Sequence, residues 1–295
     1  MTSVLYDVPG PKAIARNRII GVLTVVVVAA LLGLLIWRLA ESGQFSAYKW
    51  QAFGYSRIWE QFGIATLRTL AAFALSALGA LALGFILAIG RMSNHAWVRW
   101  PFIAIVEVLR AVPVLIMMML IYYGLPVVGV KLDSYWAVVI ALVAYNGSVL
   151  AEVLRAGIES LPRGQAEAGY AVGLRKAGVM RLVLLPQAIR AMLPVIIAQL
   201  VVTLKDTALG FIITYPELLY FAKQLGSNAV LGSPLIPSAL VAGAIYISMC
   251  LLLSLAAVKA EKRLRSSPRV HKAPGAGAPL LEGTETELIV TQKRG

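Results

Sequence analysis

The sequence has little cysteine and little histidine. Cys250 is the only cysteine among 295 residues, and the two histidines, His95 and His271, stand alone in polar sequence. A single thiol excludes a disulfide within the chain, and no group of cysteine and histidine has the spacing of a zinc site. We therefore expect no metal site in this protein.

Charge is also scarce. Charged residues are 14% of the chain and apolar residues are 59%. A soluble domain is about half apolar and about a quarter charged. The excess of apolar side chains must be buried in lipid, so the composition predicts an integral membrane protein.

Catalytic and nucleotide-binding motifs are missing as well. The sequence has no His-Glu-x-x-His, no Gly-x-Ser-x-Gly and no paired carboxylates in its apolar runs. It also lacks a glycine-rich phosphate loop that ends in Lys-Ser or Lys-Thr. We expect a chain that is not an enzyme and that binds neither ATP nor another cofactor itself.

Six apolar runs are long enough to cross a bilayer, which takes about 20 residues of helix. They cover residues 19–36, 69–90, 111–130, 134–151, 190–213 and 236–258. The first is not followed by an Ala-x-Ala cleavage site, so we interpret it as a retained anchor helix. The fold class predicted is therefore all-α, with about six transmembrane helices.

The runs divide the chain into four parts. We expect an N-terminal tail (1–18), an anchor helix with an external interfacial segment (19–62), a transmembrane domain (63–265) and a disordered tail (266–295). The row of small residues in the second run, at four-residue spacing, predicts a close approach by another helix. That row is Ala72, Ser76, Ala80 and Gly84.

The net charge of +13 comes from basic residues in the tails and in the gaps between runs. That distribution is typical of membrane orientation rather than of nucleic-acid binding. It predicts a multi-pass protein of the cytoplasmic membrane with both termini in the cytoplasm. The long fourth gap lies on the same side and carries several of these residues: Arg155, Arg163, Arg175, Lys176 and Arg181.

This fourth gap, residues 152–189, has helical composition. Its pattern predicts a helix over 164–172 after Pro162, a left-handed turn at Gly173, and a second helix over 176–185 that Pro186 ends. Such a rigid pair of helices on one face of a membrane protein could dock a partner.

The same gap carries a recognisable motif. Glu167-Ala168-Gly169, then Gly173, then Leu185-Pro186, at uninterrupted spacing, resembles the EAA signature of ABC importer permeases, with Gly169 in place of the second alanine. The resemblance implies a MetI-like permease core behind an extra anchor helix, and a coupling role for 152–189. The helix around Glu167 would then enter a cleft on a separate ATPase subunit.

Other segments resemble the polar amino-acid permeases. The stretch from Glu107 through Arg110 to Pro113 is similar to a box of that family, although Met117 stands where the family often has glutamine. We interpret Glu107 and Arg110 as an interfacial ion pair. Among amino acids the chain most resembles glutamate-uptake permeases, and glutamine, arginine, histidine or an osmolyte remain alternatives.

The resemblance also implies an assembly. Two ATPase subunits would hold ATP and magnesium, a second permease chain, identical or homologous, would complete the path, and an extracytoplasmic binding protein would deliver the substrate. A stand-alone secondary transporter is the alternative, but we find no internal repeat of the kind such carriers show. A membrane-anchored enzyme is a third possibility.

Polar residues near the end of the fifth run are candidates for the substrate path. Lys205, Asp206 and Thr207 follow Leu204 in a segment similar to a family signature. Charges inside lipid are costly, about 2.5–3.5 kcal/mol on insertion scales, so they face a cavity, pair, or lie near an interface. Both a polar path lining and a snorkelling lysine beside a loop-entry aspartate fit this pattern.

Overall fold

The computed structural model describes residues 10–265, which form helices and no strand. The tail 266–295, predicted to be disordered, lies outside the described residues. The α-helices in chain order are α1 Pro11–Glu41, α2 Ala47–Trp50, α3 Ser56–Arg91, α4 Ala96–Ala111, α5 Val114–Met119, α6 Ser134–Glu159, α7 Arg163–Ala171, α8 Lys176–Gly178, α9 Leu185–Asp206, α10 Leu218–Gly226 and α11 Leu235–Arg265. Short 3₁₀ and π turns connect several of them.

In the described part of the chain, five helices are long and apolar enough to cross a membrane, and a bent pair makes a possible sixth. The predicted all-α membrane fold with about six spans and an additional N-terminal helix is confirmed. Helix α3 differs from the sequence prediction, because it begins at Ser56 and not near residue 69. It therefore takes up part of the segment expected to lie outside.

The bent pair replaces the predicted third span. Val112 has extended backbone (ψ 120°) and Pro113 precedes α5, so Ala96–Ala111 and Val114–Val128 meet at 96°. A residue before proline is pushed out of the helical region, and proline itself lacks the N–H that would continue the helix. The span predicted over 111–130 is thus only the second arm of a bent element.

The centre of the fold is the contact between α3 and α6. The row Ala72, Ser76, Ala80 and Gly84 is buried there, which confirms the predicted close approach. At Gly84 the two helices are so close that a Cβ atom would lie 2.9 Å from the Leu150 Cβ and 3.0 Å from the Gly147 carbonyl oxygen. Apolar side chains of α5 and α6 pack beside this contact, including Met117 and Met118.

A second group of helices packs against the other end of α3. Phe62 of α3 is buried with Leu218 and Ala222 of α10 and with Ala242 of α11. Helix α1 is different, because none of its residues is buried.

Candidate functional site

The coupling loop in the structure is shorter than the predicted range 152–189, and more of it is helical. Helix α6 continues to Glu159, and α7 then covers Arg163–Ala171 with Pro162 as its N-cap residue. The non-helical part between α6 and α7 is therefore only residues 160–162. Short connections of this kind leave α7 little freedom relative to the spans.

Gly173 closes α7 in the predicted conformation. Its φ is +82°, in the left-handed region that favours glycine. The Leu174 N–H donates to the Gly169 carbonyl at 3.1 Å, and the Gly173 N–H donates to the Tyr170 carbonyl at 2.9 Å. Those two bonds form a Schellman motif, which satisfies the last carbonyls of α7 and turns the chain sharply.

Pro186 does not end the second helix, contrary to the sequence prediction. Helix α8 starts at Lys176, the chain widens into a π-helical stretch over Val179–Leu184, and α9 follows without a break from Leu185. A proline inside a helix removes one backbone hydrogen bond and crowds the preceding turn. The wider π turn accommodates both effects, so the second coupling helix and the fifth span are one continuous element.

The departure of the motif at Gly169 has a packing reason. Gly169 is buried, and a Cβ atom there would lie 2.9 Å from Cγ2 of Val179 in the π-helical stretch. The absence of a methyl group at this position is thus what lets α7 lie directly on the second helix. The two helices of the motif are packed together at this point.

The side chains of the motif split into a packed set and an exposed set. Gly169 is buried and Leu185 is half-buried, whereas Glu167, Ala168 and Pro186 are exposed. In the part of the chain that the structure describes, the Glu167 carboxylate forms no ion pair and no side-chain hydrogen bond. Next to it, Tyr170 is 50% exposed and Val172 is 76% exposed.

Hydrogen bonds and close packing hold this segment to the spans. The Gln187 amide of α9 donates to Gln165 of α7 at 3.2 Å and to the Val183 carbonyl at 2.8 Å. At Gly157 of α6, a Cβ atom would lie 2.4 Å from the Met192 Cγ of α9. Helix α7 is therefore hydrogen-bonded to α9, and α9 in turn packs closely on α6.

A cluster of ion pairs lies at the same end of the helices. Arg91, the last residue of α3, binds the Glu107 carboxylate of α4 at 2.9 Å and the Glu152 carboxylate of α6 at 3.2 Å. Arg155 pairs with Glu152 and Glu159 along α6. The predicted pair between Glu107 and Arg110 is wrong, because Arg91 reaches Glu107 from the neighbouring helix.

The three path candidates lie at the end of α9. Asp206 is its last residue, and a helix of 22 residues is about 33 Å long, so Asp206 is one bilayer thickness from Leu185. Lys205 is exposed, Asp206 is half-buried, and the buried Thr207 hydroxyl donates to the Leu204 carbonyl at 2.6 Å. No ion pair joins Lys205 to Asp206 among the described residues, and the role of all three stays a prediction.

An amide pair between two spans, with Asn146 buried and Gln199 half-buried, was not predicted from the sequence. The Gln199 amide of α9 donates to the Asn146 carbonyl oxygen of α6 at 2.7 Å, and Asn146 donates to the Leu142 carbonyl at 3.0 Å. Amides in otherwise apolar runs were the available signal. Between residues 10 and 265, no group of three or more His, Cys, Asp or Glu side chains is arranged to hold a metal ion.

Comparisons with known proteins agree with this geometry. The glutamate transport system permease protein GluD of Corynebacterium glutamicum is 38% identical over 255 residues, which is 84% of this chain and 92% of GluD. The arginine transport system permease protein ArtQ of Bacillus subtilis is 32% identical over 201 residues, 68% of this chain and 90% of ArtQ.

A solved structure and a family model cover the same core. The crystal structure of an amino acid ABC transporter with histidines superposes with a TM-score of 0.63 at 30% identity, over 69% of this chain and 94% of that chain. Residues 80–266 match the model of the binding-protein-dependent transport system inner membrane component. The chain therefore belongs to this family of ABC importer permeases, as a relative of those that transport polar amino acids.

Proposed function

We propose that this chain carries glutamate across the cell membrane as one permease subunit of an ATP-driven importer. The observation that supports the coupling role best is the packed pair of helices around Gly169 and Gly173. This pair presents an exposed Glu167, and close packing and a hydrogen bond hold it to α6 and α9. Glutamate is favoured because GluD, named as a glutamate permease, is similar over 84% of this chain.

The orientation follows from the basic residues. Cationic residues concentrate before α1, after α11 and around the motif segment, so both termini and that segment are assigned to the cytoplasm. Lys205, Asp206 and Thr207 then lie near the opposite membrane surface, because α9 spans the distance from Leu185. Substrate handed over by an external binding protein would meet that end first.

The mechanism needs the spans to respond to an event in a partner. ATP binding and hydrolysis in two ATPase subunits would close a cleft on α7 and pull on Glu167 and its neighbours. Because α8, the π-helical stretch and α9 are one element, the pull would tilt α9 and, through Gly157, α6. Rigid-body movement of packed helices about an interface is an established way to alternate two openings.

The test is ATP-dependent uptake by the whole complex. The tagged chain is purified from its native membrane in mild detergent with whatever ATPase accompanies it, and is reconstituted into vesicles with labelled glutamate. We expect uptake that requires ATP and that unlabelled glutamine, arginine and histidine compete for less well. Preferred uptake of another of these amino acids would overturn the glutamate assignment alone.

Two glycine variants test the coupling role. Gly173→Val places a side chain at φ +82° and is expected to abolish ATP-dependent uptake. Gly129→Val is the matched control, since Gly129 has φ +85° and equally open surroundings but lies after α5, far along the chain from the motif. Equal losses in both variants would reject the coupling role of this turn. Glutamate uptake by the chain with no ATPase present would reject the importer mechanism and favour a stand-alone carrier.

A further inference from the structure

A cavity of about 710 Å³ lies beside the motif segment. It is bounded by the last turns of α3, the turn between α3 and α4, one face of α6, and the helix that starts at Lys176. Most of its lining is apolar: Phe85, Ala88, Ile89, Met92, Leu154, Ile158, Ala177, Met180 and Leu185. This cavity belongs neither to the exposed face of α7 nor to the path candidates at the far end of α9.

The charged side chains of the lining are all cationic. Lys176 and Arg181 contribute to the cavity, His95 adds a polar ring, and no aspartate or glutamate lines it. The Lys176 ammonium donates to the Met92 carbonyl at 3.0 Å and to the Asn94 side-chain carbonyl, both of them uncharged. Arg181 is exposed and has no carboxylate partner among residues 10–265.

Tryptophans indicate the level of this cavity in the membrane. Trp97 and Trp100, at the start of α4 and close in sequence to His95, are 77% and 63% exposed. Tryptophan side chains are enriched where the headgroups meet the acyl chains. Their position favours a cavity mouth at headgroup height, with the apolar floor toward the acyl chains.

We propose that this cavity binds an anionic phospholipid, with its phosphate at Lys176 and Arg181 and one acyl chain on the apolar floor. An apolar cavity with an uncompensated cationic rim complements a ligand that is apolar at one end and anionic at the other. Basic pockets between helices on the cytoplasmic side of membrane proteins bind lipid headgroups on the same principle. A soluble anion would leave the apolar floor unfilled, and a zwitterionic lipid would leave the cationic rim uncompensated.

The site has a consequence for transport, which rests on the proposed function and orientation. The lipid would contact the α3–α4 turn on one side and the second helix of the motif segment on the other. Occupancy would hold that helix against α3 and α6, so anionic lipid is expected to raise the coupling between ATP hydrolysis and uptake.

Lys176 has a second possible role, and the variants are chosen to separate it. Its ammonium caps the C-terminal end of α3 through Met92, so Lys176→Gln can weaken the fold by itself. Arg181→Gln removes a cation with no structural partner in the described chain. Ala177→Trp leaves both cations and fills the cavity from its exposed edge.

The experiment measures lipid retained by the purified complex. Complexes are placed in nanodiscs of equal parts phosphatidylcholine and phosphatidylglycerol, extracted briefly into detergent, and the bound lipid is counted by native mass spectrometry. We expect phosphatidylglycerol on the unmodified complex, and binding about 30-fold weaker when Lys176→Gln and Arg181→Gln are combined, from about one charge interaction each. Arg181→Gln and Ala177→Trp alone are each expected to weaken binding as well.

The matched control removes two cations elsewhere on the same side. Lys259→Gln with Lys262→Gln, near the end of α11, is expected to retain phosphatidylglycerol as the unmodified complex does. Equal retention of the two lipids, or unchanged retention in both Arg181→Gln and Ala177→Trp, would overturn the proposal. Because retention is measured without transport, this failure is distinguishable from a failure of the importer mechanism, which would appear as missing ATPase.

Discussion

Arg91 joins three helices through one side chain. Its side chain is only 14% exposed, and its guanidinium contacts Glu107 of α4 and Glu152 of α6 from the end of α3. Without it, Glu107 would lose its ion pair, and Glu152 would keep only the ion pair with Arg155 among the described residues. Guanidinium forks suit such double contacts better than an ammonium does.

We predict that Arg91→Ala lowers the stability of the purified chain by about 1.5–3 kcal/mol, the usual range for a hydrogen bond to a charged group. The measurement is thermal unfolding in nanodiscs. Arg110→Ala is the control, because Arg110 forms no ion pair among the described residues. If the Arg110 variant loses more stability than the Arg91 variant, the pairing seen in the structure is wrong and the pair expected from the sequence is restored.

Glu217 is a buried carboxyl group in the connection between the spans Lys176–Ile213 and Leu235–Lys262. It begins α10 by accepting hydrogen bonds from the N–H groups of Leu219 and Tyr220 at 2.8 and 2.7 Å, and from the Tyr246 hydroxyl at 2.7 Å. Burial raises the pKa of Glu217 from 4.5 to about 7, and the three hydrogen bonds offset only part of that rise.

The raised pKa predicts a pH-dependent stability. Between pH 4.5 and about 7, the folded chain holds a proton on Glu217 that the unfolded chain has released. The stability contributed by this group is therefore greatest at low pH and falls as the pH rises through that window. Unfolding temperatures at about pH 5 and about pH 8 should differ less in Glu217→Gln than in the unmodified chain, because the amide does not titrate.

The exposed Glu60 supplies the control for this experiment. Glu60→Gln removes an exposed carboxyl group from α3 and leaves the buried Glu217 in place. This variant should therefore keep the pH dependence of the unmodified chain. An unchanged pH dependence in the Glu217 variant would show that Glu217 is ionised in the fold throughout this range.

At the scale of elements, the α3–α6 contact depends on the absence of side chains. A Cβ atom on Gly84 would lie 2.9 Å from the Leu150 Cβ, and one on Gly79 would lie 2.6 Å from the Val143 Cγ2. Gly63, in the same helix, has open space around it. The stripe of small residues is thus needed only where α6 crosses.

We predict that Gly84→Leu disrupts the fold while Gly63→Leu does not. A leucine at 84 must push α6 away, and overpacking of this kind costs about 1–3 kcal/mol or more. The measurement is the fraction of protein that stays monodisperse after heating, with Gly84→Ala as an intermediate case. Equal behaviour of the two leucine variants would mean that α3 and α6 are farther apart than the structure shows.

The elements show what the sequence could and could not predict. Long apolar runs predicted most of the spanning helices. The four-residue spacing of small side chains predicted a close approach by another helix, which the structure identifies as α6, because such spacing places side chains on one helix face. Gly173 was predictable because a left-handed cap needs glycine. The 96° bend at Pro113 was not, since one proline is compatible with a kink, a break or a cap.

Pairings between distant residues had no such periodic signal. Arg110 lies three residues after Glu107 on the same helix, so the sequence made Arg110 the expected partner. Arg91 becomes a neighbour of Glu107 only when α3 and α4 fold together. The continuation of α9 through Pro186 depends on a π-helical stretch, and no residue type predicts such a stretch. The Asn146–Gln199 pair joins residues whose separation in the chain is 53.

At the scale of the whole molecule, α1 stands apart from the permease core. It is 31 residues long, about 46 Å at 1.5 Å per residue, with no buried residue, and neither Gly21 nor Gly33 has another atom near its Cβ position. The family model begins at residue 80, well after α1. These observations favour an anchor whose length and apolar character matter more than its sequence.

This interpretation predicts that residues 19–36 can be replaced by a plain leucine run of the same length. The replacement keeps the number of spans and hence the orientation, which a deletion would not, while it removes the specific side chains of the apolar run of α1. We expect the unfolding temperature, the copurified ATPase and the ATP-dependent uptake to stay as in the unmodified complex. A comparable replacement of 236–253 in α11 should lower the unfolding temperature and abolish both the copurified ATPase and the uptake. The reason is that α11 packs against α10 around Ala242. Loss of the ATPase or of a second permease chain from the α1 variant, with the unfolding temperature unchanged, would instead identify α1 as an interface between subunits.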